Sequence, residues 1–380
     1  MNLVSAKNIK KFKKLHVKTT YNKKDTIQVS FYYEKISLQD FLCYNENMKE
    51  KFVLVTGGAG YIGLNVVNAL LKNGKRVVVF DDLSNSYKRH IDNLQKQNKK
   101  SLLFCRGDLK QREDVEKVFH DFEIEQVVHL AGKKYVGESF KKEKEYERNN
   151  IFATQILLDT MSKFNVKKIV FSSSITVYGN VFGKVDENTK LCPISPYAKQ
   201  KADGEKMIKD WAKENGAKFV ILRLSNPVGA GFDARLGENS KSKNKGVVTY
   251  LVDCAIEEKK IVLNGNDHKT RDGTTIRDYI FVEDIANTFA KAVDFERSET
   301  IAVGSGEDGF TVLEILKTVE KTTNKKLEYT FRPKVKGDIS EITTNNQKLK
   351  KVFGIVPNRN IEILIKSHFD FVCNIKKKEE

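Results

Sequence analysis

Short apolar runs alternate along the chain with stretches whose apolar residues recur at helical spacing. From residue 51 onward, the runs at 53–55, 77–80, 102–105, 126–129 and 168–171 each predict a buried strand, and amphipathic segments separate them. Strands that alternate with helices pack into a parallel sheet covered on both faces. The pattern therefore predicts an α/β fold with a doubly wound parallel sheet, whose ligand lies at the carboxyl ends of the strands.

The first predicted strand leads into the turn TGGAGYIG at 56–63 and then into a helical pattern. Gly57 permits a sharp turn, Gly60 lets a pyrophosphate approach the backbone at the helix N-terminus, and Gly63 lets the helix pack closely. Asp81 ends the second strand, 24 residues after Gly57, where it would accept hydrogen bonds from ribose hydroxyls and repel a 2′-phosphate. These features predict a Rossmann domain that binds NAD rather than NADP.

The loops after the later strands extend the predicted cofactor pocket. The second strand leads into residues 81–86, the third into residues 108 and 109 near the expected adenine, and the fourth into residues 130–132 near the expected nicotinamide. The fifth ends in a run of serines. The residues selected in this way are Gly57, Gly60, Gly63, Asp81, Asp82, Leu83, Ser84, Asn85, Ser86, Asp108, Leu109, Leu130, Ala131, Gly132 and Ser172.

The alternation of strands and helices weakens after Asn226, where loops rich in glycine, asparagine and lysine begin. We therefore predict the Rossmann domain at residues 51–225 and a smaller C-terminal α/β substrate domain at residues 226–380. Residues 1–50 form a predicted basic N-terminal extension, because lysines are frequent there and no acid occurs before Asp25.

Composition restricts the class of protein without deciding its chemistry. The 380 residues are 40% apolar. No run approaches the roughly 18 apolar residues of a membrane span. The five cysteines are scattered, without a CxxC or Cys/His spacing, which argues against a disulfide framework and against a metal site. We expect a cytosolic protein with no membrane partner.

The formal net charge of +17 would suit a nucleic-acid partner. However, lysines occur along the whole chain, including predicted helix faces such as Lys163 and Lys167, and no aromatic-interleaved basic stripe accompanies them. We therefore interpret the charge as a compositional bias and expect no nucleic-acid partner.

Three residues form a candidate catalytic group. Tyr197 and Lys201 share one face if their segment is helical. A phenol has a pKa of about 10 and is therefore a poor base at neutral pH. A nearby ammonium and the positive nicotinamide would have to lower this pKa by about 3, which requires on the order of 4 kcal/mol. Tyr197 would then accept a proton from a substrate alcohol while hydride leaves for the nicotinamide. Ser174, at the end of the fifth strand, would hydrogen-bond the same alcohol and pass on its proton.

Further motifs accompany these residues: DDLSNS at 81–86, GDL at 107–109, LAGKKYVGES at 130–139, FSSSITVYG at 171–179, SPYAKQK at 195–201, NPVGA at 226–230 and GNDHKTRDGTTIRDYIFVEDIA at 265–286. With the glycine turn, they resemble the extended short-chain dehydrogenase/reductases, and most of all the members that epimerise sugar nucleotides at C4. The resemblance runs nearly without gaps from about residue 50 to about residue 354.

The resemblance implies an activity and a division of roles. It implies an NAD-dependent UDP-hexose 4-epimerase, an isomerase of galactose metabolism that acts as a homodimer and interconverts UDP-galactose and UDP-glucose through a 4-keto intermediate. To the cofactor-binding residues it adds Tyr61, Ile62, Lys134, Asn149, Tyr197 and Lys201. At the UDP-sugar it places Ser174, Tyr197, Asn226, Arg277, Tyr279 and Asp338, with Arg277 toward the diphosphate.

Some positions on the substrate side depart from the family pattern. Val335 stands where the family has an arginine for the diphosphate, residues 245–247 read KGV instead of Asn-Asn-Leu, and Ser225 replaces an aromatic residue. Ile342, at the position that gates N-acetylated sugars, predicts that N-acetylhexosamines fit poorly. The alternatives are another NAD-dependent UDP-sugar or hexuronate epimerase, and a non-catalytic NAD-binding regulatory or scaffold protein.

Overall fold

Residues 17–22, 26–31, 50–181 and 183–379 are described by the structure, which is a computed structural model. The chain divides into two compact units, Met1–Glu50 and Lys51–Glu380. In the first unit, residues 17–22 and 26–31 form an antiparallel pair of strands. The rest of the predicted N-terminal extension up to residue 49 lies outside the described residues.

The strands, in chain order, are β1 (Val17–Asn22), β2 (Thr26–Phe31), β3 (Phe52–Thr56), β4 (Val77–Asp81), β5 (Leu102–Arg106), β6 (Ile124–His129), β7 (Lys168–Ser174), β8 (Lys184–Val185), β9 (Lys218–Leu224), β10 (Asn226–Val228), β11 (Ile261–Asn264), β12 (Ile276–Arg277), β13 (Tyr279–Phe281), β14 (Glu299–Val303), β15 (Phe310–Thr311), β16 (Tyr329–Arg332) and β17 (Glu341–Thr344).

Seven parallel strands of the second unit form a central sheet in the order β14-β9-β7-β6-β3-β4-β5. The apolar runs predict β3 to β7, and β9 and β14 join them without having been predicted. The residues of β3 are all buried and those of β4 and β7 nearly so, because helices cover both faces of the sheet. The predicted doubly wound parallel sheet is confirmed.

The helices are Tyr61–Lys72, Lys88–Gln97, Arg112–Asp121, Val136–Lys141, Glu143–Glu147, Ala153–Lys163, Pro196–Asn215, Gly231–Ala234, Val247–Glu257, Val282–Asp294, Val312–Thr323, Gln347–Phe353 and Ile361–Glu379, with a π-helical turn at Arg148–Phe152 and a 3₁₀ turn at Ile175–Tyr178. The helices Tyr61–Lys72 and Val282–Asp294 pack together on one face of the sheet. The helices Arg112–Asp121, Ala153–Lys163 and Pro196–Asn215 cover the other face.

The chain beyond residue 226 builds small sheets and also returns to the central one. β10 pairs with β13, β11 with β16, and β12 lies between β15 and β17, with β8 beyond β17. β14 pairs with β9 at the edge of the central sheet, where Ile301 and Val303 are fully buried. The domain boundary between residues 225 and 226 stays a prediction, since β14 and the helix Val282–Asp294 complete the central layer from beyond it.

A buried polar network holds the helix Pro196–Asn215 against the strand ends. The Arg223 guanidinium donates to the Glu205 carboxylate at 2.7 and 2.9 Å and to the Tyr178 hydroxyl at 2.9 Å, and the Ser173 hydroxyl donates to Glu205 at 2.6 Å. All four residues are buried. Because an unpaired member of such a network is strongly unfavourable, the network fixes the position of the helix relative to β7.

Candidate active site

Two cavities with shared walls lie at the carboxyl ends of the central strands. The first, of about 400 Å³, is lined by the glycine turn and by the loop after β4. The second, of about 410 Å³, is lined by Ser174, Tyr197 and residues from beyond position 226. Tyr61, Leu130 and Lys134 are among the residues that line both. The residues predicted for cofactor and for substrate therefore meet in one region.

The first cavity collects nearly all of the predicted cofactor residues. Leu83 lines neither cavity: its side chain packs against the hydrophobic core, and only its backbone N–H reaches Asp81, at 2.9 Å. Tyr197 and Lys201 line the second cavity rather than the first. Lys110 and residues 238–242, which no sequence motif indicated, also line the first cavity. The predicted residues found there are Gly57, Gly60, Tyr61, Ile62, Gly63, Asp81, Asp82, Ser84, Asn85, Ser86, Asp108, Leu109, Leu130, Ala131, Gly132, Lys134, Asn149 and Ser172.

The glycine turn is too tight for side chains. Gly57 has a φ of 69°, and a Cβ there would lie 2.7 Å from the backbone nitrogen of Ala131. A Cβ at Gly63 would lie 2.3 Å from the Gly57 carbonyl oxygen, so the helix Tyr61–Lys72 packs directly on the turn. Gly60 caps this helix, whose first turn contains no acid. Its N–H groups and the positive end of its dipole suit a pyrophosphate.

Asp81 is fixed at the wall of the first cavity by three hydrogen bonds. Its carboxylate accepts from the Ala59 N–H at 3.1 Å, the Leu83 N–H at 2.9 Å and the Ser86 hydroxyl at 2.9 Å. Burial raises the pKa of Asp81, and these hydrogen bonds offset part of the rise. Since two carboxylate oxygens offer about four lone-pair sites, the group retains acceptor capacity for a ribose hydroxyl.

Ser174 and Tyr197 meet in the second cavity. Ser174 ends β7, and Tyr197 lies in the first turn of the helix Pro196–Asn215. The helix starts there because Ser195 caps it, accepting from the Ala198 N–H at 3.2 Å, and proline occupies the first helical position. The Ser174 hydroxyl hydrogen-bonds Tyr197 and accepts from the Thr176 hydroxyl at 3.0 Å. This contact links the phenol to a hydroxyl relay.

Burial governs the proton affinity of the catalytic candidates. It raises the pKa of Tyr197, and the Ser174 hydrogen bond and the charge of Lys134 counteract the rise in part. Burial also lowers the pKa of Lys201, to about 8, and the Lys201 ammonium donates to the Ser172 carbonyl oxygen at 2.7 Å. The charge of Lys134 lowers the pKa of Tyr197, and the expected effect of Lys201 on the phenol stays a prediction.

Glu238 is a buried acid that the sequence analysis missed, and it lines both cavities. Its carboxylate accepts from the Lys134 ammonium at 2.9 Å, the Thr249 hydroxyl at 2.6 Å and the Gly246 N–H at 3.4 Å. Burial raises the pKa of Glu238, but the Lys134 charge and the hydrogen bonds from Thr249 and Lys134 outweigh it and hold the pKa at about 2. Lys134 and Glu238 therefore form a charged pair within the site.

The four residues predicted for the substrate alone all line the second cavity. Asn226 starts β10 and pairs with Tyr279 in β13. Arg277, in β12, donates to the Asp338 carboxylate and to the Ile276 carbonyl oxygen, the latter at 2.8 Å. The Tyr279 hydroxyl is buried and has no hydrogen-bond partner among the described residues.

The positions that depart from the family pattern separate into two groups. Residues 245–247, Ser225 and the buried Ile342 line the second cavity. Val335 does not line it. Its side chain lies beside Gly137, since a Cβ added to Gly137 would be 3.0 Å from the Cγ1 of Val335. The departures at 225 and 245–247 therefore change the wall of the cavity, whereas position 335 is not part of its lining.

Residues 53–304 match the NAD dependent epimerase/dehydratase family. The chain belongs to this family. The UDP-glucose 4-epimerase of Bacillus subtilis (strain 168) is 38% identical over 317 residues, which cover 82% of this chain and 93% of that protein. The UDP-glucose 4-epimerase of Drosophila melanogaster is 36% identical over 327 residues, covering 82% and 93%.

Solved structures of the epimerase/dehydratase family resemble the fold closely. The UDP-glucose 4-epimerase from Bifidobacterium longum, crystallised in complex with NAD⁺ and UDP, superimposes with a TM-score of 0.82 at 34% identity, covering 85% of this chain and 98% of that one. The resemblance to NAD-dependent epimerases that the motifs predict is thereby confirmed, and so is the predicted class of cofactor. No helix within the described ranges is long and apolar enough to cross a membrane.

Proposed function

We propose that this chain is an enzyme, a UDP-hexose 4-epimerase that interconverts UDP-galactose and UDP-glucose. One observation carries the proposal: the paired hydroxyls of Ser174 and Tyr197 lie in a cavity that shares walls with the dinucleotide cavity and also contains Arg277. A proton acceptor, a hydride acceptor and a site for a diphosphate are therefore neighbours. Relatives that match this chain over 93% of their own length carry the same activity in their names.

The residues of the first cavity fit NAD. The turn at Gly57 excludes a Cβ, the following helix N-terminus carries no acid, and Asp81 presents a carboxylate where a 2′-phosphate would be repelled. When bound, NAD would supply a reversible hydride acceptor for C4 of the sugar and a positive charge beside the phenol.

Tyr197 holds the proton during the reaction. Its phenolate oxygen accepts the proton of the C4 hydroxyl, directly or through the hydroxyl of Ser174, and later returns it to the oxygen at C4, so the protein ends unchanged. Burial opposes the phenolate, and the Ser174 hydrogen bond and the ammonium of Lys134 favour it. Lys201, bonded to the Ser172 carbonyl oxygen, holds the end of β7 against the catalytic helix.

The second cavity fits the UDP-sugar. Its charged lining consists of five cations (Lys133, Lys134, Lys201, Lys245 and Arg277) and two acids (Glu238 and Asp338), and the resulting net charge of +3 favours a diphosphate. The planar fork of Arg277 suits phosphate oxygens, and Asn226 and Tyr279 offer polar groups beside it. Anchoring the nucleotide retains the 4-keto intermediate while its sugar rotates within the cavity. We expect Ile342, which lines this cavity, to make N-acetylated sugars fit poorly.

The deciding experiment incubates the purified chain with UDP-galactose, without added NAD, and follows UDP-glucose by chromatography. Wild type should form product, Tyr197→Phe should lose activity by at least about 100-fold because the proton acceptor is gone, and Tyr329→Phe, at an exposed tyrosine, should behave as wild type. Absence of product from wild type that carries bound NAD would refute the assigned substrate and direct the search to other nucleotide sugars.

We also propose a homodimer in a reducing compartment such as the cytosol. Phe152 is 52% exposed, and with Ile151 and Met207 it lines an apolar depression between the turn Arg148–Phe152 and the helix Pro196–Asn215. Such a surface suits a second copy of the chain.

The described cysteines, at 105, 192, 254 and 373, are free thiols, which supports a reducing environment.

A further inference from the structure

The loop that follows Glu238 forms part of the wall of the dinucleotide cavity. Residues 239–244 of this loop, the strap, contain no helix or strand, and residues 239–242 line that cavity. All six residues of the strap are polar, with the sequence NSKSKN, so the strap has no apolar side chain to bury in the core. Its position at the cavity therefore depends on hydrogen bonds to neighbouring loops.

The middle of the strap is bonded to the loop after β4. The Lys241 N–H donates to the Asn85 carbonyl oxygen at 3.2 Å, and the Ser242 N–H donates to the Asn85 side-chain oxygen at 2.9 Å. The Lys241 ammonium donates to the Leu83 carbonyl oxygen at 2.8 Å and lies 5.4 Å from the centroid of the Tyr87 ring. Because Asn85 lines the dinucleotide cavity, these contacts hold the strap against one wall of it.

The end of the strap is bonded to the loop after β6. The Tyr135 hydroxyl donates to the Asn244 carbonyl oxygen, and Tyr135 also lines the dinucleotide cavity. In the central sheet β3 lies between β6 and β4, and the glycine turn follows the carboxyl end of β3. The strap therefore connects the loops on the two sides of the glycine turn and spans the cavity that these loops enclose.

The chain is firmly held on both sides of the strap, whereas the strap itself is held by exposed bonds. Before it, the buried Glu238 carboxylate accepts from the Lys134 ammonium at 2.9 Å. After it, the helix Val247–Glu257 packs into an apolar cluster. The bonds from the strap to Asn85 and Tyr135 are exposed, so water can replace them at little cost. Segments of this kind open locally while the rest of the protein stays folded.

We propose that the strap closes the dinucleotide cavity over bound NAD, and that NAD leaves only when the bonds from the strap to Leu83, Asn85 and Tyr135 are broken. The inference rests on the proposed function. In a 4-epimerase the hydride taken from C4 returns to the sugar, so the cofactor is restored in every cycle and has no need to exchange. A strap that retains NAD suits that chemistry, whereas an enzyme that releases its reduced cofactor after each turnover needs an open cavity.

The first test measures how fast the full chain releases NAD. Protein loaded with radiolabelled NAD is mixed with excess unlabelled NAD, and rapid gel filtration follows the label that stays bound. The double variant Tyr135→Phe/Lys241→Met should release NAD at least about tenfold faster, since one neutral and one charged hydrogen bond of the strap are lost. Lys243→Met, in the same strap but lining neither cavity, is the matched control and should release NAD as wild type does.

A covalent lock separates closure by the strap from direct contact between these side chains and NAD. The Asn85 side-chain oxygen lies 2.9 Å from the Ser242 backbone nitrogen, so cysteines at these two positions would be neighbours. In NAD-loaded Asn85→Cys/Ser242→Cys, oxidation to the disulfide, verified by mass spectrometry, should nearly stop the release of the label. Reduction with dithiothreitol should restore release, and oxidised and reduced wild type should not differ.

Other results would overturn the inference in distinguishable ways. Equal release from wild type and Tyr135→Phe/Lys241→Met, while wild type still forms UDP-glucose, refutes the strap and leaves the proposed function standing. Faster release from that variant, with no difference between the oxidised and reduced forms of Asn85→Cys/Ser242→Cys, indicates direct contacts with NAD and refutes closure by the strap. A wild type that retains no NAD and forms no UDP-glucose refutes the proposed function together with this inference.

Discussion

The ammonium of Lys134 lies 2.9 Å from the buried carboxylate of Glu238, and both residues line the cofactor cavity and the substrate cavity. Lys134 comes from the loop after β6, whereas Glu238 belongs to the loop that precedes the helix Val247–Glu257. The pair therefore ties the two halves of the site together. It also fixes the cation that lowers the pKa of Tyr197 against the effect of burial.

Replacing Glu238 should destabilise the protein in a pH-dependent way. Glu238→Gln should lower the free energy of unfolding at pH 7 by about 2 kcal/mol, because a buried charged hydrogen-bond partner is lost. The folded-state pKa of about 2 lies below the ordinary 4.5, so the stabilisation is complete above pH 4.5 and is lost as the pH falls toward 2. Urea unfolding at several pH values measures the difference between wild type and variant, which should shrink with acidity.

A matched control is available for Glu238 on the surface. Glu362 pairs with Lys321 at 2.6 Å, but both side chains are more than half exposed. Glu362→Gln should therefore change the free energy of unfolding by less than about 1 kcal/mol. Equal losses in the two variants would contradict a special role for the pair at the junction of the cavities.

Two glycines with similar backbone angles should respond differently to alanine. Gly57→Ala should abolish NAD retention, because its Cβ would lie 2.7 Å from the backbone of Ala131. Gly74 has a φ of 73° with open space around it, so Gly74→Ala should cost about 1 kcal/mol of stability and leave NAD bound. Chromatography of nucleotide released on denaturation, with thermal unfolding, checks both. NAD retained at wild-type level in Gly57→Ala would contradict the assignment of the turn.

The cofactor half of the site could be predicted because its signals are local. Glycines in a turn, an acid at a strand end and a Tyr-Lys spacing each follow from short-range geometry. Gly57 and Asp81 line the first cavity, and Tyr197 lines the second. Leu83 was predicted to bind the cofactor only because it belongs to the loop after β4. Its backbone is left-handed, with a φ of 61°, and its side chain packs on the core. Neither property can be recognised from its position in the loop.

Long-range contacts could not be predicted in this way. Glu238 meets Lys134 across 104 residues of sequence, and nothing in the lysine-rich loop distinguishes it from a solvated acid. The same holds for β14, which returns to the central sheet from the predicted substrate domain because its apolar residues complete the edge beside β9. The effect of Lys134 on the pKa of Tyr197 likewise depends on tertiary packing, which short-range patterns do not encode.

Lys201 should make the protein more stable as the pH rises. Its folded-state pKa of about 8 lies below the ordinary 10.5, so the unfolded chain binds more protons between these values and stability increases with pH across that window. The free energy of unfolding of wild type, relative to Lys201→Met, should therefore increase by up to about 3 kcal/mol from pH 8 to pH 10.5.

Urea unfolding of both chains at stepped pH values measures this difference. Lys206→Met is the control on the same helix: Asp210 raises the pKa of that exposed lysine, so the variant should show no such increase relative to wild type. A pH-independent difference between wild type and Lys201→Met would show that Lys201 is not a buried, destabilised cation.

Asp278 should be a major determinant of stability beneath the substrate cavity. Its fully buried carboxylate accepts from the Ser305 N–H at 2.9 Å, the Ser305 hydroxyl at 2.6 Å and the Ser225 hydroxyl at 3.2 Å, as well as from Thr344. Asp278→Ala leaves these donors unpaired and should lower the free energy of unfolding by about 4 kcal/mol.

The comparison for Asp278 is Asp294, which pairs with Lys75 at 2.6 Å and is 56% exposed. Asp294→Ala should change the free energy of unfolding by less than about 1 kcal/mol. Chemical denaturation measures both variants. A loss of similar size for both would mean that the Asp278 network contributes no more than a surface ion pair.

The proposed dimer predicts different effects for two equally exposed apolar residues. Phe152 is 52% and Ile363 is 53% exposed, but only Phe152 adjoins the apolar depression with Met207. Phe152→Asp places a charge in that surface and should weaken self-association by more than about tenfold, since aromatic residues at the centre of an interface dominate its energy. Ile363→Asp should leave association unchanged. Sedimentation velocity over a range of concentrations decides the matter. Dissociation of Ile363→Asp alone would move the interface to the C-terminal helix, dissociation of neither variant would contradict the role of Phe152, and a monomeric wild type would refute the homodimer.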